Sequence, residues 1–285
     1  MKNLLRTLVY DGQVSLTLAD TTDMVKEGAR RHALSKISAL VFGKTLSAMT
    51  FMSACLKMET GEISLSLKSD GTCGGIGVSG NRQLFLRGYM ENPQAAEEET
   101  EETCLGTNGS LTIIRDDGYN RPFVGSCALT GGGVDRAFEE YFRISEQLPT
   151  RFYTTVERDE KGEISFAGVA ALQPLPFADE TALANTREAD LSLLLNAVKE
   201  TGVERAAKSY FTPDERAWEV REATYRCNCS RERLSSVLVT IGETELRKII
   251  EEDGNLQVHC HYCNTDYTFT KEDADRLFPQ NDGEV

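Results

Sequence analysis

Two short stretches near the C-terminus constrain this chain more than any other feature. They are YRCNCSRER, holding Cys227 and Cys229, and QVHCHYCNTDY, holding Cys260 and Cys263. Two cysteine pairs with thirty residues between them can set four thiolates tetrahedrally around one Zn²⁺. The Cys-x-x-Cys half reads as a hairpin turn, where backbone amides can point at the sulfurs. The Cys-x-Cys half is tighter than most structural zinc pairs. It runs into Ser230 and a helix start, whose dipole favours a negative centre. Four thiolates and one Zn²⁺ leave a charge of about −2, which Arg226, Arg231 and Arg233 are placed to offset. His259 and His261 flank the second pair and permit a Cys₃His site. Strand alternation puts both histidines opposite Cys260, so Cys₄ with one zinc per chain is the expectation. A closed sulfur shell leaves no open position for a catalytic metal.

Redox chemistry is the other use of such thiols, and the two are compatible. One metal would tie the pairs together across the thirty-residue gap, whereas oxidation within a pair closes only a tiny ring and leaves that gap unconstrained. The sequence thus permits a switch in which oxidation converts order to disorder. The compartment matters here. MKNLLRTLVYDG carries only a short apolar run before Asp11, no targeting segment is visible, and a reducing cytoplasm is expected. A formal charge of −14 speaks against nucleic acid and anionic membrane surfaces as partners. No stretch reads as a membrane span, and the compact run Ala39–Phe42 is far too short for one. A zinc-dependent nucleic-acid module fits the thiols but conflicts with this charge. A thiol oxidoreductase would need a depressed thiol pKa and turnover of a dithiol substrate.

The rest of the chain reads as an α+β protein: an N-terminal mixed sheet-and-helix domain, a helical linker and a small C-terminal zinc-binding α+β domain. Leu4–Tyr10 and Gln13–Leu18 flank Asp11-Gly12, a strong hairpin turn. Met24–Lys57 has helical spacing that Gly43 is expected to break. Further hairpin signals cover GEISLSLKSDGTCGGIGVSG with NRQLFLRGYMENP, then SLTIIRDDGYNRPFVGSCAL, then RFYTTVERDEKGEISFAGVAAL. Val134–Glu146 is an amphipathic helix, and the run Glu97–Glu102 a solvated loop. Pro174 and Pro176 mark the edge of a first domain over residues 1–178. Residues 179–222 form a charge-rich helical linker, ordered only with tertiary support. Residues 223–285 form the small unit: helices Ser230–Ile241 and Glu243–Glu252, a hairpin turning at Asn264-Thr265-Asp266, and a last helix opened by a capping box at Thr270. So small a unit is insecure without a metal staple.

Other candidates carry less. Gly75–Gly80 fits G-x-G-x-x-G, but the strand-like NRQLFLRGY follows where a dinucleotide site needs a helix. The Thr130–Gly133 stretch lacks the Lys and Ser/Thr of a phosphate loop. Cys55, Cys73, Cys104 and Cys127 are scattered and read as buried or partly buried free thiols. His32 reads as solvated beside Arg30 and Arg31, without a nucleophile partner. Trp218 reads as an apolar anchor holding the linker on the first domain. No catalytic residue is assigned, and no enzymatic activity is expected.

CNCS at Cys227–Ser230, the gap of thirty and CHYC at Cys260–Cys263, followed by Tyr267 and Phe269, resemble the 33 kDa chaperonin family, redox-regulated bacterial heat-shock holdases. RGYMENP (Arg87–Pro93), GSLTIIRD (Gly109–Asp116) and EYFRISEQLPT (Glu140–Thr150) extend the resemblance over most of the chain. It implies a reduced, inactive form with zinc on Cys227, Cys229, Cys260 and Cys263. It further implies that oxidants form Cys227–Cys229 and Cys260–Cys263 disulfides, release zinc and unfold the linker. The protein would then hold unfolding client proteins without ATP, as a homodimer, under oxidative and heat stress.

Overall fold

The structure, a computed structural model, describes residues 2–279. It divides into two compact units, Met1–Arg226 and Cys227–Val285.

The first unit runs β1 (Leu4–Val9), β2 (Val14–Asp20), α1 (Thr22–His32), α2 (Lys36–Ala54), β3 (Glu62–Ser69), β4 (Ile76–Asn81), β5 (Phe85–Met90), α3 (Glu101–Leu105), β6 (Gly109–Asp116), β7 (Phe123–Ala128) and α4 (Gly133–Tyr141). It continues through β8 (Arg151–Arg158), β9 (Ile164–Pro174), α5 (Glu180–Glu188), α6 (Leu191–Thr201), α7 (Val203–Tyr210), β10 (Glu219–Arg221) and β11 (Thr224–Tyr225). Its strands form a five-stranded sheet, β10-β1-β2-β9-β8, and a six-stranded sheet, β11-β5-β4-β3-β6-β7. All pairs are antiparallel except β11 on β5. The Asp11-Gly12 turn forms as its composition predicts, with Tyr10, Asp11 and Gly12 all at positive φ.

The core helix α2 packs on both sheets, and nearly every one of its residues is buried. It is long and apolar enough to cross a membrane by length and composition alone, with a mean hydropathy of 1.3 over an 18-residue window of Lys36–Ala54, yet 89% of that window is buried inside the protein. The helix is thus far longer than the compact run Ala39–Phe42 on which the sequence reading turns. Ser, Thr and Gly interrupt the apolar run in the sequence, but Thr45, Ser47 and Thr50 each return a hydroxyl bond to the carbonyl four residues back, which lets them stay apolar-facing. The predicted break at Gly43 is also corrected: the two helices part at Ala33–Ser35. Ala33 takes a left-handed turn, and the Ser35 hydroxyl caps α2 by accepting from the Ser38 amide. Gly43 sits inside α2 because a Cβ there would lie 2.6 Å from Val25 Cγ1 and 2.8 Å from Val156 Cγ2. Gly43→Ala is expected to lose about 1–2 kcal/mol, since overpacking outweighs the helix-propensity gain of about 1 kcal/mol. A denaturant midpoint at or above wild type would reject this account.

The outer face of the five-stranded sheet is covered by α6 and α7. Leu191, Leu194, Leu195, Val198, Val203, Ala206 and Ala207 bury against Leu5, Leu16, Leu18, Phe166 and Leu172. With α2 on one face and these helices on the other, β2 and β9 are buried on both, which explains the continuous apolar run Phe166–Leu172 of β9 and the burial of Ser15 and Thr17 in β2. Trp218 packs on the same cluster, its Nε1 donating to Glu204 at 3.3 Å and Lys208 over its ring. His32 is half-buried rather than solvated, with Nε2 3.3 Å from the Tyr225 hydroxyl and its ring near Phe42. The G-x-G-x-x-G stretch lies in the turn and strand of β4, and β5 follows it, as the strand-like pattern predicts.

The second unit comprises α8 (Arg231–Ile241), α9 (Glu243–Asp253), β12 (Leu256–Cys260), β13 (Thr265–Phe269) and α10 (Lys271–Leu277). The Ser230 hydroxyl caps α8, Gly254 ends α9 in a left-handed conformation, and Thr270 and Asp273 form the predicted capping box. Thr265 and Asp266 already belong to β13, so the hairpin turns one step earlier than predicted, over His261–Asn264 with Asn264 at φ 54°. Among the described residues, Leu238, Leu246, Ile250, Phe269 and Ala274 form its buried apolar core, with Leu234, Leu256, Val258, Tyr267, Leu277 and Phe278 packed against it half-buried.

Candidate metal centre

Two local structures present the four thiols. Cys227 and Cys229 lie in extended chain just before the Ser230 cap, so the second precedes the first turn of α8 by one residue. Cys260 ends β12, and Cys263 closes the turn, where the amides of Cys263 and Asn264 donate to the Cys260 carbonyl at 3.3 and 2.8 Å. Asn264 tolerates the left-handed backbone that this tight turn needs.

The four sulfurs converge. Cys227 Sγ lies 3.8 Å from Cys260 Sγ, Cys229 Sγ lies 3.2 Å from Cys263 Sγ, and all four fall within 4.8 Å of one another. A Zn–S bond of about 2.3 Å implies tetrahedral S···S edges of about 3.8 Å, so these residues fit a tetrahedral ion without rearrangement of the backbone. Both of these contacts join one pair to the other, which is what a clamp requires. Cys263 is buried and the other three are half-buried. His259 and His261 are exposed, 4.9 Å apart ring to ring, and His259 Nδ1 lies 2.7 Å from Asp266. Neither belongs to the sulfur cluster, in agreement with the alternation argument.

Crowding separates the thiols electrostatically. Burial pushes the Cys227 thiol well above its ordinary value, and it pushes Cys263 up to about 11. Burial also acts upward on Cys229, but hydrogen bonds from Tyr267 and from the neighbouring thiols outweigh it and bring Cys229 down to about 7. Tyr267 is the residue the sequence reading left without a role. Its hydroxyl lies 3.2 Å from Cys229 Sγ, and that bond to a sulfur that carries charge holds the phenol above its usual range. The signal was present: register pairs Cys260 with Thr265 and Val258 with Tyr267, which puts Thr265 and Tyr267 on the sulfur face. The Thr265 hydroxyl is accordingly 3.3 Å from Cys263 Sγ.

The proposed charge balance by arginine is realised only in part. Arg231 is bound to Asp273 at 2.6 Å and stacks over Phe269, and Arg226 stacks over Phe85. Both guanidiniums thus have other partners, and the N-terminus of α8 with the Tyr267 hydroxyl supplies polar compensation at the sulfurs.

Comparison with known proteins agrees with this geometry. The family model described as Hsp33 protein matches residues 2–270. Proteins named 33 kDa chaperonin from Bacillus cereus (strain AH187) and Bacillus anthracis (strain CDC 684 / NRRL 3495) are each 32% identical to the chain over 284 residues, covering 96% of it and 97% of the relative. The crystal structure of the 33 kDa chaperonin (heat shock protein 33 homolog) from Thermotoga maritima has the same fold, with a TM-score of 0.80 at 24% identity and 97% of each chain covered. Sheet order, helices and sulfur cluster having been established, the match over nearly the whole chain settles the family: this protein belongs to the Hsp33 family of chaperones.

Proposed function

We propose that the protein is a redox-regulated, ATP-independent holdase of the cytoplasm that catalyses no reaction. In the reduced form Cys227, Cys229, Cys260 and Cys263 hold one Zn²⁺, which serves as a cross-link between two segments of the second unit. The observation that carries the reading is the convergence of four sulfurs from two distant segments within 4.8 Å, in a unit whose described apolar core holds five buried residues. So small a core gives marginal stability, so the unit depends on the sulfur clamp. Oxidation to Cys227–Cys229 and Cys260–Cys263 disulfides commits the sulfur electron pairs to S–S bonds, removes the ligand set and frees the second unit. Residues 179–222 then act as a metastable linker: their helices lift from the five-stranded sheet and uncover apolar surface for unfolding client proteins, held by a homodimer. Family membership supports client binding; the pairing of the disulfides rests on the resemblance in the Cys-x-Cys and Cys-x-x-Cys spacing.

The test measures three readouts on one sample during peroxide treatment: metal release with a chromogenic chelator, aggregation of a thermally unfolding client enzyme, and non-reducing peptide maps. Release of one Zn²⁺ per chain should precede suppression of aggregation, and the maps should show each pair closed on itself. Equal suppression by reduced and oxidised protein would sink the proposal, and disulfides between the pairs would refute the assigned pairing.

A further inference from the structure

We propose that Cys73 and Cys104, in the first unit, form a second and separate disulfide site that a peroxide-class oxidant closes. The two residues are far apart in sequence and appear in the sequence reading as unrelated core thiols. The fold brings them together. The Cys73 amide donates to the Cys104 carbonyl at 3.0 Å, so the two main chains meet at the spacing of paired strands, about 4.8 Å. The two thiols also act on each other, holding Cys73 below and Cys104 above the usual thiol value, and the Cys73 thiol lies 3.6 Å from the Gly74 carbonyl and 3.8 Å from the Ser69 hydroxyl. Both residues are 0% exposed.

The segments that carry them are fixed against each other by more than this contact. Asp70, before Cys73, accepts from the Thr107 and Asn108 amides, each at 3.0 Å, and from the Asn108 side chain at 2.8 Å. A Cβ on Gly71 would lie 2.3 Å from the Cys104 carbonyl oxygen, so backbone touches backbone and only glycine fits. The far side of the turn is tied by the Asn92 amide donating to the Cys73 carbonyl at 3.1 Å. Main chains that meet at this spacing fall within the Cα separation that a disulfide spans, about 4.4–6.8 Å. The opposing reading is that two small apolar side chains simply pack, as buried thiols commonly do. Against it stands access. Exposed Thr72 directly precedes Cys73, and exposed Glu102 and Thr103 directly precede Cys104, so a local opening of one turn admits a small oxidant. The neighbouring Cys104 thiol also holds the Cys73 thiol below its usual value despite burial, which marks Cys73 as the nucleophile toward the oxidant.

The chemistry balances as follows. The Cys73 thiolate attacks hydrogen peroxide, forms an S–O bond and breaks the O–O bond, leaving a sulfenic acid and, with one proton, water. Cys104 sulfur then displaces hydroxide from the sulfenic sulfur. Its thiol proton completes the second water. Two thiols are oxidised by two electrons, and one peroxide is reduced to two waters.

The bridge would clamp the β3–β4 turn to α3, closing a loop with thirty residues between the cysteines. The same oxidant that loosens the second unit would therefore tighten the first. The site uses none of Cys227, Cys229, Cys260 or Cys263, so its failure and that of the holdase reading are separable in one digest. Tryptic cleavage puts Cys73 in peptide 69–82 and Cys104 in peptide 88–115. After peroxide treatment of the folded full chain, acid quench and alkylation in denaturant, these two peptides are expected as one cross-linked species that dithiothreitol separates. The thermal midpoint of the first unit should rise by about 5–10 °C on oxidation. A Cys73→Ser/Cys104→Ser variant should lose both effects and release its metal as wild type does. Both peptides fully alkylated, linked instead to Cys55 or Cys127, or carried to sulfinic acid would overturn the proposal. The map decides on wild-type protein, whatever the stability of the variant.

Discussion

Stripping metal from the reduced chain with a strong chelator is expected to unfold the second unit and leave the first intact. The expectation comes from comparing magnitudes. Apparent zinc-binding energies of about 10–16 kcal/mol in small Cys/His peptides are also folding energies. Against them the unit offers five buried apolar side chains, one hairpin of five pairs and short helices that are marginal alone. Its remaining ties are half-buried apolar side chains such as Leu234, Leu256 and Phe278, the Arg231–Asp273 pair and surface ion pairs such as Arg247 with Glu243 and Asp275, the last worth about 0–1 kcal/mol each. Removing the cross-link therefore removes more than everything else supplies. Hydrogen exchange of peptides spanning residues 231–277 should lose protection by several orders of magnitude, while peptides of α2 and β9 keep theirs. Cys263→Ser should reproduce the effect, because it removes the most buried ligand. Native protection of the hairpin in metal-free protein would show that the apolar core suffices, and the switch would lose its physical basis.

Leu195→Ala is expected to give a chaperone that works without oxidant. Leu195 is 1% exposed in α6, and its Cδ2 would lie only 3.4 Å from a Cβ on Gly168 of β9, so it plugs the surface that a missing side chain creates on that strand. Truncating a leucine of this burial costs about 2–5 kcal/mol, with the cavity term added to the transfer term. Local stability of surface-docked helices lies below the global value, so a loss of this size can undock α6 and α7 while the sheets and α2 stay folded. The reduced, metal-loaded variant should then suppress client aggregation, and exchange protection over residues 191–210 should fall. Leu193→Ala is the control, since that side chain on the same helix is 51% exposed. A destabilised Leu195→Ala that stays inactive until oxidised would mean that the docked helices do not cover the client surface.

How much of this was legible in the sequence depends on the range of the interactions involved. Hairpins with a strong turn and the Ser230 and Thr270 caps are local chemistry, and each appears where the residues predict it; the four cysteines named from their spacing also cluster. The break in Met24–Lys57 was misplaced because Gly43 was judged by helix propensity, which ranks glycine as a breaker. Its neighbours Val25 and Val156 decide instead, and Val156 is more than a hundred residues away. The length of α2 was missed for a related reason: its Ser and Thr residues satisfy themselves within the helix, which a count of apolar runs does not register. Tyr267 and the Cys73–Cys104 contact show the two ends of the scale. Strand register on one hairpin could have found the first. The second depends on how a turn of one sheet meets a short helix, and no periodicity carries that information.

The order of strands in the five-stranded sheet has a consequence for how the protein is made. β1 is flanked by β2 and by β10, with Leu4 opposite Arg221, and β2 is completed only by β9. A ribosome adding about 5–20 residues per second takes roughly 10–40 s to travel from the first of these strands to the last. Throughout that interval the nascent chain carries an unpaired edge and an apolar helix without its cover. This member of a chaperone family thus passes through its own synthesis with an edge that invites wrong pairing.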